Sequence, residues 1–304
     1  MKQHKKKSVF GILLGVVLLL VIVGALLHYF LGYEVHQNVK YGEKDANVMN
    51  IYIPREAYNR ESNGCVLFIH GGSWSGGDKA EETARCRLLA SRGYITATMN
   101  YTLWSEEIAD TYSVFDVLDE IDAALSTIQS FAAERGIVID KAATAGYSAG
   151  AHLSMLYSFS RADTAPMEIV FTANMAGPAN ISPAVWGEDM TIRVARRLTG
   201  MELTPELLDT KEATELLASI SPVSYIDQNT PPSIIMHGGK DPVVPFANAD
   251  SLITKFIENA VPYDFIYLKD SDHALWQNPL KHVTYCKTIL AYCEQYFEEP
   301  AKKS

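Results

Sequence analysis

The stretch that decides the fold of this chain is Ala-Ala-Thr-Ala-Gly-Tyr-Ser-Ala-Gly-Ala-His, at residues 142–152. Its apolar first half predicts a short buried strand, and its second half predicts the first turn of a helix. Ser148 lies between them in the pattern G-x-S-x-G, which places a serine on a sharp strand-to-helix turn. Glycines two residues before and after the serine have no Cβ, so the strand and the helix can approach closely. Ser148 is therefore the candidate nucleophile, although a loop with no chemistry could contain the same five residues.

Eight predicted strands alternate with helices along the rest of the chain. This order predicts an α/β domain with a mostly parallel, eight-stranded sheet flanked by helices on both faces. The strands are predicted at residues 35–41, 48–53, 65–70, 94–100, 141–147, 169–175, 233–237 and 263–268. Helices are predicted at residues 79–92, 113–135, 149–160, 246–260 and 279–297. Residues 181–220 are polar and helical without strand signals, which predicts an inserted helical cap over the site.

The N-terminal segment has a different composition from this domain. Residues 2–7 contain four lysines, whereas residues 8–33 contain no Asp, Glu, Lys or Arg. The apolar run at residues 9–27 matches the roughly 20 residues of a membrane helix better than the roughly 7–15 of a cleaved signal. We therefore expect residues 1–33 to form a cytoplasmic basic tip and a single-pass anchor in the cell membrane. The alternative is a cleaved export signal and a secreted protein.

The N-terminal lysines also predict the orientation of the chain. Because lysines beside a membrane helix stay in the cytoplasm, the domain at residues 34–297 should lie outside it. Residues 298–304 are predicted to be a disordered, solvated tail. The formal net charge of −10 argues against nucleic acid as a partner.

Four cysteines follow no metal-binding spacing, at Cys65, Cys86, Cys286 and Cys293. Cys286 and Cys293 share one face of a predicted helix, roughly 10 Å apart and beyond disulfide reach. The pattern favours buried free thiols and indicates no metal site.

A serine hydroxyl is a poor nucleophile and needs a base, which in turn needs a partner that fixes its tautomer. His273 follows the last predicted strand, and Asp241 follows the strand before it. The order Ser148, Asp241, His273 is that of the triad in one large class of hydrolases. Asp270 and Asp272 are nearer to His273 in sequence, but loop neighbours rarely point at the same ring, so Asp241 is favoured.

The third predicted strand ends at His-Gly-Gly, residues 70–72. Glycine lets backbone N–H groups approach a reacting oxygen closely, so Gly71 and Gly72 are candidate donors to an oxyanion. The N–H of Ala149, directly after Ser148, should complete this site. Three other histidines are expected to make structural hydrogen bonds rather than catalyse: His70 and His237, which each close a strand, and His152, on the helix after Ser148.

Three motifs together resemble the carboxylesterase branch of the α/β-hydrolase superfamily. They are His-Gly-Gly-Ser-Trp at residues 70–74, Gly-Tyr-Ser-Ala-Gly-Ala-His at 146–152 and His-Gly-Gly-Lys-Asp-Pro-Val-Val-Pro at 237–245. The resemblance extends over residues 41–297. This branch of the superfamily includes hormone-sensitive-lipase-like esterases and bacterial acetylxylan and feruloyl esterases. It implies the α/β-hydrolase fold and ester hydrolysis through an acyl-serine, with no metal or organic cofactor.

The resemblance also implies roles for individual residues. Ser148 would be the nucleophile, His273 the base and Asp241 its partner. Gly71, Gly72 and Ala149 would form the oxyanion hole. The substrate pocket is expected to include three aromatic residues: Trp74, Trp104 and Tyr147.

Two departures from the family pattern concern the substrate more than the chemistry. Ser73 stands where lipase-like members usually have a third glycine. Residues 100–106 read Asn-Tyr-Thr-Leu-Trp-Ser-Glu, where many relatives have Asn-Tyr-Arg-Leu-Ala-Pro-Glu. We expect Trp104 in this segment to narrow the acyl or alcohol pocket.

The leading hypothesis is a membrane-anchored serine carboxylesterase that acts on short-chain esters, with carbohydrate acetyl groups as one candidate. One alternative is a serine peptidase of the prolyl-oligopeptidase type, although such peptidases usually have a large extra N-terminal domain. The other is a catalytically silent binding protein on a hydrolase scaffold. The natural ester, the acyl length and the oligomeric state remain open at this point.

Overall fold

The structure, a computed structural model, describes residues 15–17, 19–20 and 32–297. Most of the predicted membrane anchor and all of the predicted tail at residues 298–304 lie outside these ranges. Within the described residues, no helix combines the length and the apolar character required to cross a membrane.

Eight strands form one sheet in the order β1-β2-β4-β3-β5-β6-β7-β8. β2 pairs antiparallel with β1 and β4, and all other neighbouring strands are parallel. The predicted mostly parallel, eight-stranded sheet is therefore confirmed. The strands are β1 (Tyr33–Lys40), β2 (Val48–Pro54), β3 (Asn63–Ile69), β4 (Ile95–Met99), β5 (Ile139–Tyr147), β6 (Glu168–Met175), β7 (Ser233–Gly238) and β8 (Tyr263–Leu268).

The α-helices of residues 32–297 flank this sheet or follow β6. They are α1 (Thr83–Ala90), α2 (Val114–Ala133), α3 (Ala149–Ser160), α4 (Pro183–Trp186), α5 (Glu188–Thr199), α6 (Lys211–Ser219), α7 (Ala247–Glu258) and α8 (Pro279–Phe297). The predicted helix at residues 79–92 begins instead with a 3₁₀ turn, Lys79–Glu82. Asp78 caps this turn, because its side chain accepts a hydrogen bond from the Ala80 N–H.

The central strand β3 divides the core into two layers because its side chains alternate between the faces of the sheet. Cys65, Leu67 and Ile69 belong to the cluster that also contains the buried side chains of α2. Val66 and Phe68 belong to the cluster formed with α1 and α8. Helices therefore cover both faces and hold the carboxyl end of β3 in the middle of the molecule.

The four cysteines are free thiols, of which Cys286 is half-buried and the others are buried. Burial raises the pKa of the Cys65 thiol above its usual value. A buried thiol that stays protonated is chemically inert, so these side chains act as packing groups.

Residues 181–220, the predicted cap, form α4, α5 and α6 between β6 and β7. α5 contacts the loops that follow β3 and β4. Arg197 donates a hydrogen bond to the Ser73 carbonyl over 3.3 Å, and Arg196 forms an ion pair with Glu106 at 3.1 Å. These contacts hold the insertion above the carboxyl ends of the central strands.

Candidate active site

Ser148 occupies a strained turn between β5 and α3. Its φ is 53° and its ψ is −119°, a conformation that non-glycine residues seldom adopt and that costs on the order of 1–3 kcal/mol. The Ser148 N–H donates to the Met175 carbonyl at the end of β6 over 2.8 Å. This bond to the neighbouring strand helps to hold the turn that presents the serine hydroxyl.

Two glycines allow the turn to form. A Cβ on Gly146 would lie 2.4 Å from the carbonyl carbon of Gly150, and one on Gly150 would lie 2.0 Å from the Ile69 oxygen. Both obstacles are backbone atoms, which cannot move aside as a flexible side chain can. The spacing of the G-x-S-x-G pattern therefore reflects close packing of α3 against the ends of β3 and β5.

Replacing Gly150 with alanine is expected to destabilise the protein by about 1–3 kcal/mol or more, because the added methyl overpacks this contact. Gly76→Ala is the control, since a Cβ there would meet only the Gly72 oxygen at 3.8 Å. Urea unfolding of both variants tests the prediction. Equal unfolding midpoints for the two variants would contradict it.

Ser148, His273 and Asp241 form one hydrogen-bonded chain. The Ser148 Oγ lies 2.9 Å from Nε2 of His273, and Nδ1 of His273 lies 2.7 Å from Oδ2 of Asp241. The three side chains come from the ends of β5, β7 and β8, and parallel strands bring these ends to one edge of the sheet. This is the geometry required for a base that removes the hydroxyl proton.

Asp241 is fixed by its own loop as well as by His273. Its Oδ1 accepts hydrogen bonds from the N–H groups of Val243 and Val244, both over 2.8 Å. Burial opposes ionisation of this carboxyl, but the hydrogen bonds from His273 and the two N–H groups outweigh it and lower the pKa of Asp241. Asp241 is therefore held as a carboxylate facing His273.

The two competing aspartates have other partners. Asp270 forms an exposed ion pair with Lys240 at 2.7 Å, and Asp272 accepts a hydrogen bond from the Ala274 N–H over 3.0 Å. His273 uses Nδ1 for Asp241, so the structure places the favoured aspartate, and not its loop neighbours, beside the ring.

The predicted oxyanion donors belong to two segments, the turn after β3 and the first turn of α3. A Cβ on Gly71 would lie 3.5 Å from the Ser148 Cβ. Gly72, Ser73 and Trp74 all have positive φ, at 106°, 52° and 60°, so the chain turns sharply here. The N–H of Ala149 opens α3, where the first N–H groups lack partners within the helix. This arrangement can direct backbone donors at an oxygen bound beside Ser148.

Ser73 has a φ in the left-handed region that glycine favours, at the position where the lipase-like members of the superfamily that the sequence resembles usually have glycine. The departure noted in the sequence therefore leaves the turn itself in place.

His152, on α3 just after the turn at Ser148, connects this turn to the insertion at residues 181–220. It is fully buried; its Nδ1 accepts from Nε1–H of Trp74 over 3.2 Å, and its Nε2–H donates to the Ile220 carbonyl over 2.8 Å. The bond from Trp74 requires a neutral ring, because Nδ1 can accept only when it carries no proton. Burial lowers the pKa of His152 to about 4, despite the hydrogen bond to Ile220. His152 is thus a structural link between α3, the turn after β3 and the end of the insertion.

Acid should weaken this link. An unfolded histidine has a pKa near 6.5, so between pH 6.5 and about 4 the unfolded chain binds a proton that folded His152 does not. The stability contributed by the neutral ring is present above pH 6.5 and falls by about 3 kcal/mol as the pH drops to 4. His152→Gln keeps a donor and an acceptor without titrating, so its urea midpoint should fall less than that of the wild type over this range. Parallel pH dependences would contradict the prediction.

The other two structural histidines bond to nearby loops, as expected. Nδ1–H of His70 donates to the Gly71 carbonyl over 2.7 Å, and the ring stacks on Tyr101 with centroids 4.5 Å apart. Nε2–H of His237 donates to the Val244 carbonyl over 3.0 Å. Burial lowers the pKa of both rings and so favours their neutral forms, each of which keeps the one N–H that its bond uses.

A cavity of about 380 Å³ opens beside Ser148. Side chains of α4 and α5 form one wall, and the loops after β3, β6 and β7 form the others. Its lining comprises Ser73, Trp74, Ser148, Ala149, Pro178, Trp186, Met190, Arg193, Val194, Arg197, Pro242, Val243 and Val244. Large apolar side chains with a few polar groups are typical of small-molecule sites.

Of the three aromatic residues predicted for the pocket, only Trp74 lines this cavity. Trp104 is not part of the lining, so it does not narrow the pocket directly; its ring lies 5.0 Å from the guanidinium of Arg197, which does line the cavity. Tyr147 contacts His273 instead: the two ring centroids are 5.2 Å apart, and the Tyr147 hydroxyl donates to the His273 carbonyl over 3.1 Å. Tyr147 therefore supports the base and lines a separate cavity of about 170 Å³.

The sequence analysis did not predict two groups of residues that form the site: the backbone donors that hold Asp241 and the α5 side chains that line the cavity. Val243 and Val244 hold Asp241 through their N–H groups, which an aspartate at a turn commonly recruits. The α5 residues of the cavity carried no recognisable signal, because their position depends on how the insertion packs. In the part of the chain that the structure describes, no group of three or more His, Cys, Asp or Glu could hold a metal ion.

The sheet order and the Ser148–His273–Asp241 chain together define an α/β hydrolase. The BD-FAE family model matches residues 49–256, and the chain belongs to this family of α/β-hydrolase esterases. The predicted carboxylesterase branch is thereby confirmed.

Curated relatives include two esterases of Mycobacterium tuberculosis. Esterase LipC is 24% identical over 249 residues, which cover 77% of this chain and 57% of LipC. The probable carboxylic ester hydrolase LipM is 26% identical over 262 residues, covering 82% of this chain and 58% of LipM. The chain thus spans little more than half the length of these relatives.

Solved structures share the fold. A truncated carbohydrate esterase from gut microbiota has a TM-score of 0.71 at 18% identity, with 87% of this chain and 96% of that chain covered. Esterase B from Lactobacillus rhamnosis has a TM-score of 0.68 at 20% identity, with coverages of 93% and 95%.

Proposed function

We propose that this chain is a serine carboxylesterase that hydrolyses short-chain esters through an acyl-serine intermediate. The observation that carries the proposal is the continuous hydrogen-bonded chain from the Ser148 Oγ through His273 to Asp241. Membership of an esterase family and similarity to curated esterases support the same reaction.

In the first half of the reaction, Nε2 of His273 takes the Ser148 proton while Oγ attacks the ester carbonyl. The tetrahedral oxyanion lies against the N–H groups of Ala149, Gly71 and Gly72. As the bond to the alcohol breaks, His273 gives the proton that it took from Ser148 to the leaving oxygen. Asp241 holds Nδ1–H throughout, which stabilises the charged ring and keeps Nε2 directed at the serine.

In the second half, water attacks the acyl-serine. Nε2 of His273 takes one water proton and then gives it to Ser148 as the Oγ–carbon bond breaks. The carboxylic acid leaves, and the protein returns to its starting state with atoms and charge balanced.

The size of the cavity supports short acyl or small alcohol groups. About 380 Å³ is near the lower end of the usual range for small-molecule pockets, and Trp74 and Trp186 both line it. Acetyl groups on carbohydrate remain one candidate, supported by the fold shared with a carbohydrate esterase.

Hydrolysis of p-nitrophenyl esters from acetyl to palmitoyl by the full-length chain tests this proposal. Activity confined to short chains is the expected result. Rates that rise with chain length would instead support a lipase. Hydrolysis of peptide substrates without ester hydrolysis would favour the peptidase alternative, and a folded protein that cleaves neither would favour a silent scaffold.

We also propose that the N-terminal segment anchors the chain in the cell membrane with the hydrolase domain outside the cytoplasm. The apolar run at residues 9–27 after a cluster of lysines supports this proposal. The described apolar side chains within it are half or more exposed: Val16, Val17, Leu19 and Leu20. Intact mass and membrane fractionation of the native protein test it. A soluble protein that lacks the segment would instead establish the secreted form.

A further inference from the structure

The cavity beside Ser148 contains two arginines on one face of α5. Arg193 and Arg197 are four residues apart, so their side chains lie one above the other on the helix. Within the described part of the chain, they are the charged residues of the cavity lining, and no carboxylate is among that lining. The site therefore has a positive wall in a protein of formal net charge −10.

Two like charges at this spacing repel each other and destabilise a helix. The neighbouring Arg196, which is not part of the cavity lining, forms ion pairs with Glu106 at 3.1 Å and Glu202 at 3.7 Å. The same helix thus neutralises the arginine outside the cavity and leaves the two inside it without a carboxylate partner in the described residues. An anion bound between them would remove their repulsion.

The protein also positions these side chains without neutralising them. Arg197 donates to the Ser73 carbonyl over 3.3 Å, and its guanidinium lies 5.0 Å from the centre of the Trp104 ring. Arg193 donates from Nε to the Asp189 carbonyl over 3.3 Å. Because each guanidinium has five N–H donors, most remain available to a ligand. Ser73 precedes Trp74 in the turn after β3, so Arg197 is held next to the proposed oxyanion site.

We propose that Arg193 and Arg197 bind a carboxylate carried by the ester substrate, so that this protein prefers acidic esters. The inference rests on the proposed esterase function and specifies its substrate class. The planar guanidinium suits bidentate binding of a carboxylate. The carboxylate could belong to the acyl group, as in a half-ester of a dicarboxylic acid, or to the alcohol, as in an acylated uronate or hydroxy acid.

Two pairs of substrates separate these sources. Monomethyl succinate and methyl butyrate differ in charge on the acyl side, whereas 4-acetoxybenzoate and 4-acetoxybenzamide differ on the alcohol side. We expect the wild type to prefer the anionic member of one pair in kcat/KM. In R193Q/R197Q the anionic rate should fall at least tenfold more than the neutral rate, since the variant loses the charge-assisted hydrogen bonds to the carboxylate.

Arg196→Gln is the matched control, because it removes a guanidinium from the same helix outside the cavity lining. It should leave the anionic-to-neutral ratio at the wild-type value. A ratio that is equal in the wild type and in R193Q/R197Q for both pairs would overturn the proposal. A ratio that falls as far in Arg196→Gln would also overturn it, since the effect would then reflect general charge.

Binding measured without turnover separates this proposal from the proposed function. In S148A, calorimetry with benzoate and benzamide should show tighter binding of benzoate, lost at least tenfold in S148A/R193Q/R197Q. Equal benzoate binding by the two proteins would overturn the anion site. If the wild type cleaves no ester but the benzoate difference persists, the esterase function fails and the anion site stands.

Discussion

Replacing Ser148 with alanine is expected to lower kcat/KM for p-nitrophenyl acetate by about 10⁵–10⁶-fold. The reason is geometric. The substitution removes only the hydroxyl group, whose Oγ lies 2.9 Å from Nε2 of His273. Without this hydroxyl, His273 has no serine proton to take, and no acyl-enzyme can form. The oxyanion donors persist, so hydrolysis should stay above the uncatalysed rate.

The fold should survive this change, since alanine keeps the Cβ and the backbone bond from residue 148 to Met175. Ser160→Ala, at the far end of α3, removes a hydroxyl that donates to the Leu156 carbonyl and should keep full activity. A folded S148A protein with more than a few per cent of wild-type activity would show that another group is the nucleophile.

Replacing Asp241 with asparagine is expected to lower kcat by about 10⁴-fold with little change in KM. Oδ1 of Asp241 accepts two backbone N–H groups, so the amide oxygen of asparagine must take that position. The amide NH₂ then faces Nδ1 of His273 and donates to it. The ring is forced into the tautomer with a proton on Nε2, which cannot accept the Ser148 proton.

Asp272→Asn is the control for this effect. Asp272 lies in the same loop as His273, but it accepts from the Ala274 N–H rather than from the ring, so its kcat should change less than threefold. Steady-state kinetics of both variants measure the difference. Similar losses in the two would contradict the assignment of Asp241 as the partner of His273.

The sheet and the triad could be predicted from local patterns because each catalytic side chain follows its own apolar strand. Parallel strands end at one edge, so the order of motifs along the chain already implied that Ser148, Asp241 and His273 meet. The limits of α3 and β8 agree with the prediction, since the turn at Ser148 and the apolar run of β8 define them locally.

The substrate pocket could not be predicted in the same way. Trp104 was expected in it, but the packing of α5 places Arg197 over its ring. Which face of a polar helix covers a site depends on contacts far apart in sequence, such as that between His152 and Ile220. The side chains that should select the substrate can therefore be identified only in the folded structure.

The central claim is that Ser148 is an activated nucleophile. Treatment of the full-length chain with a fluorophosphonate, followed by peptide mass spectrometry, tests it most directly. We predict one adduct, on the peptide that contains Ser148, with labelling lost in S148A and strongly slowed in His273→Ala. A folded protein that remains unlabelled at Ser148 while it still hydrolyses p-nitrophenyl acetate would contradict the claim.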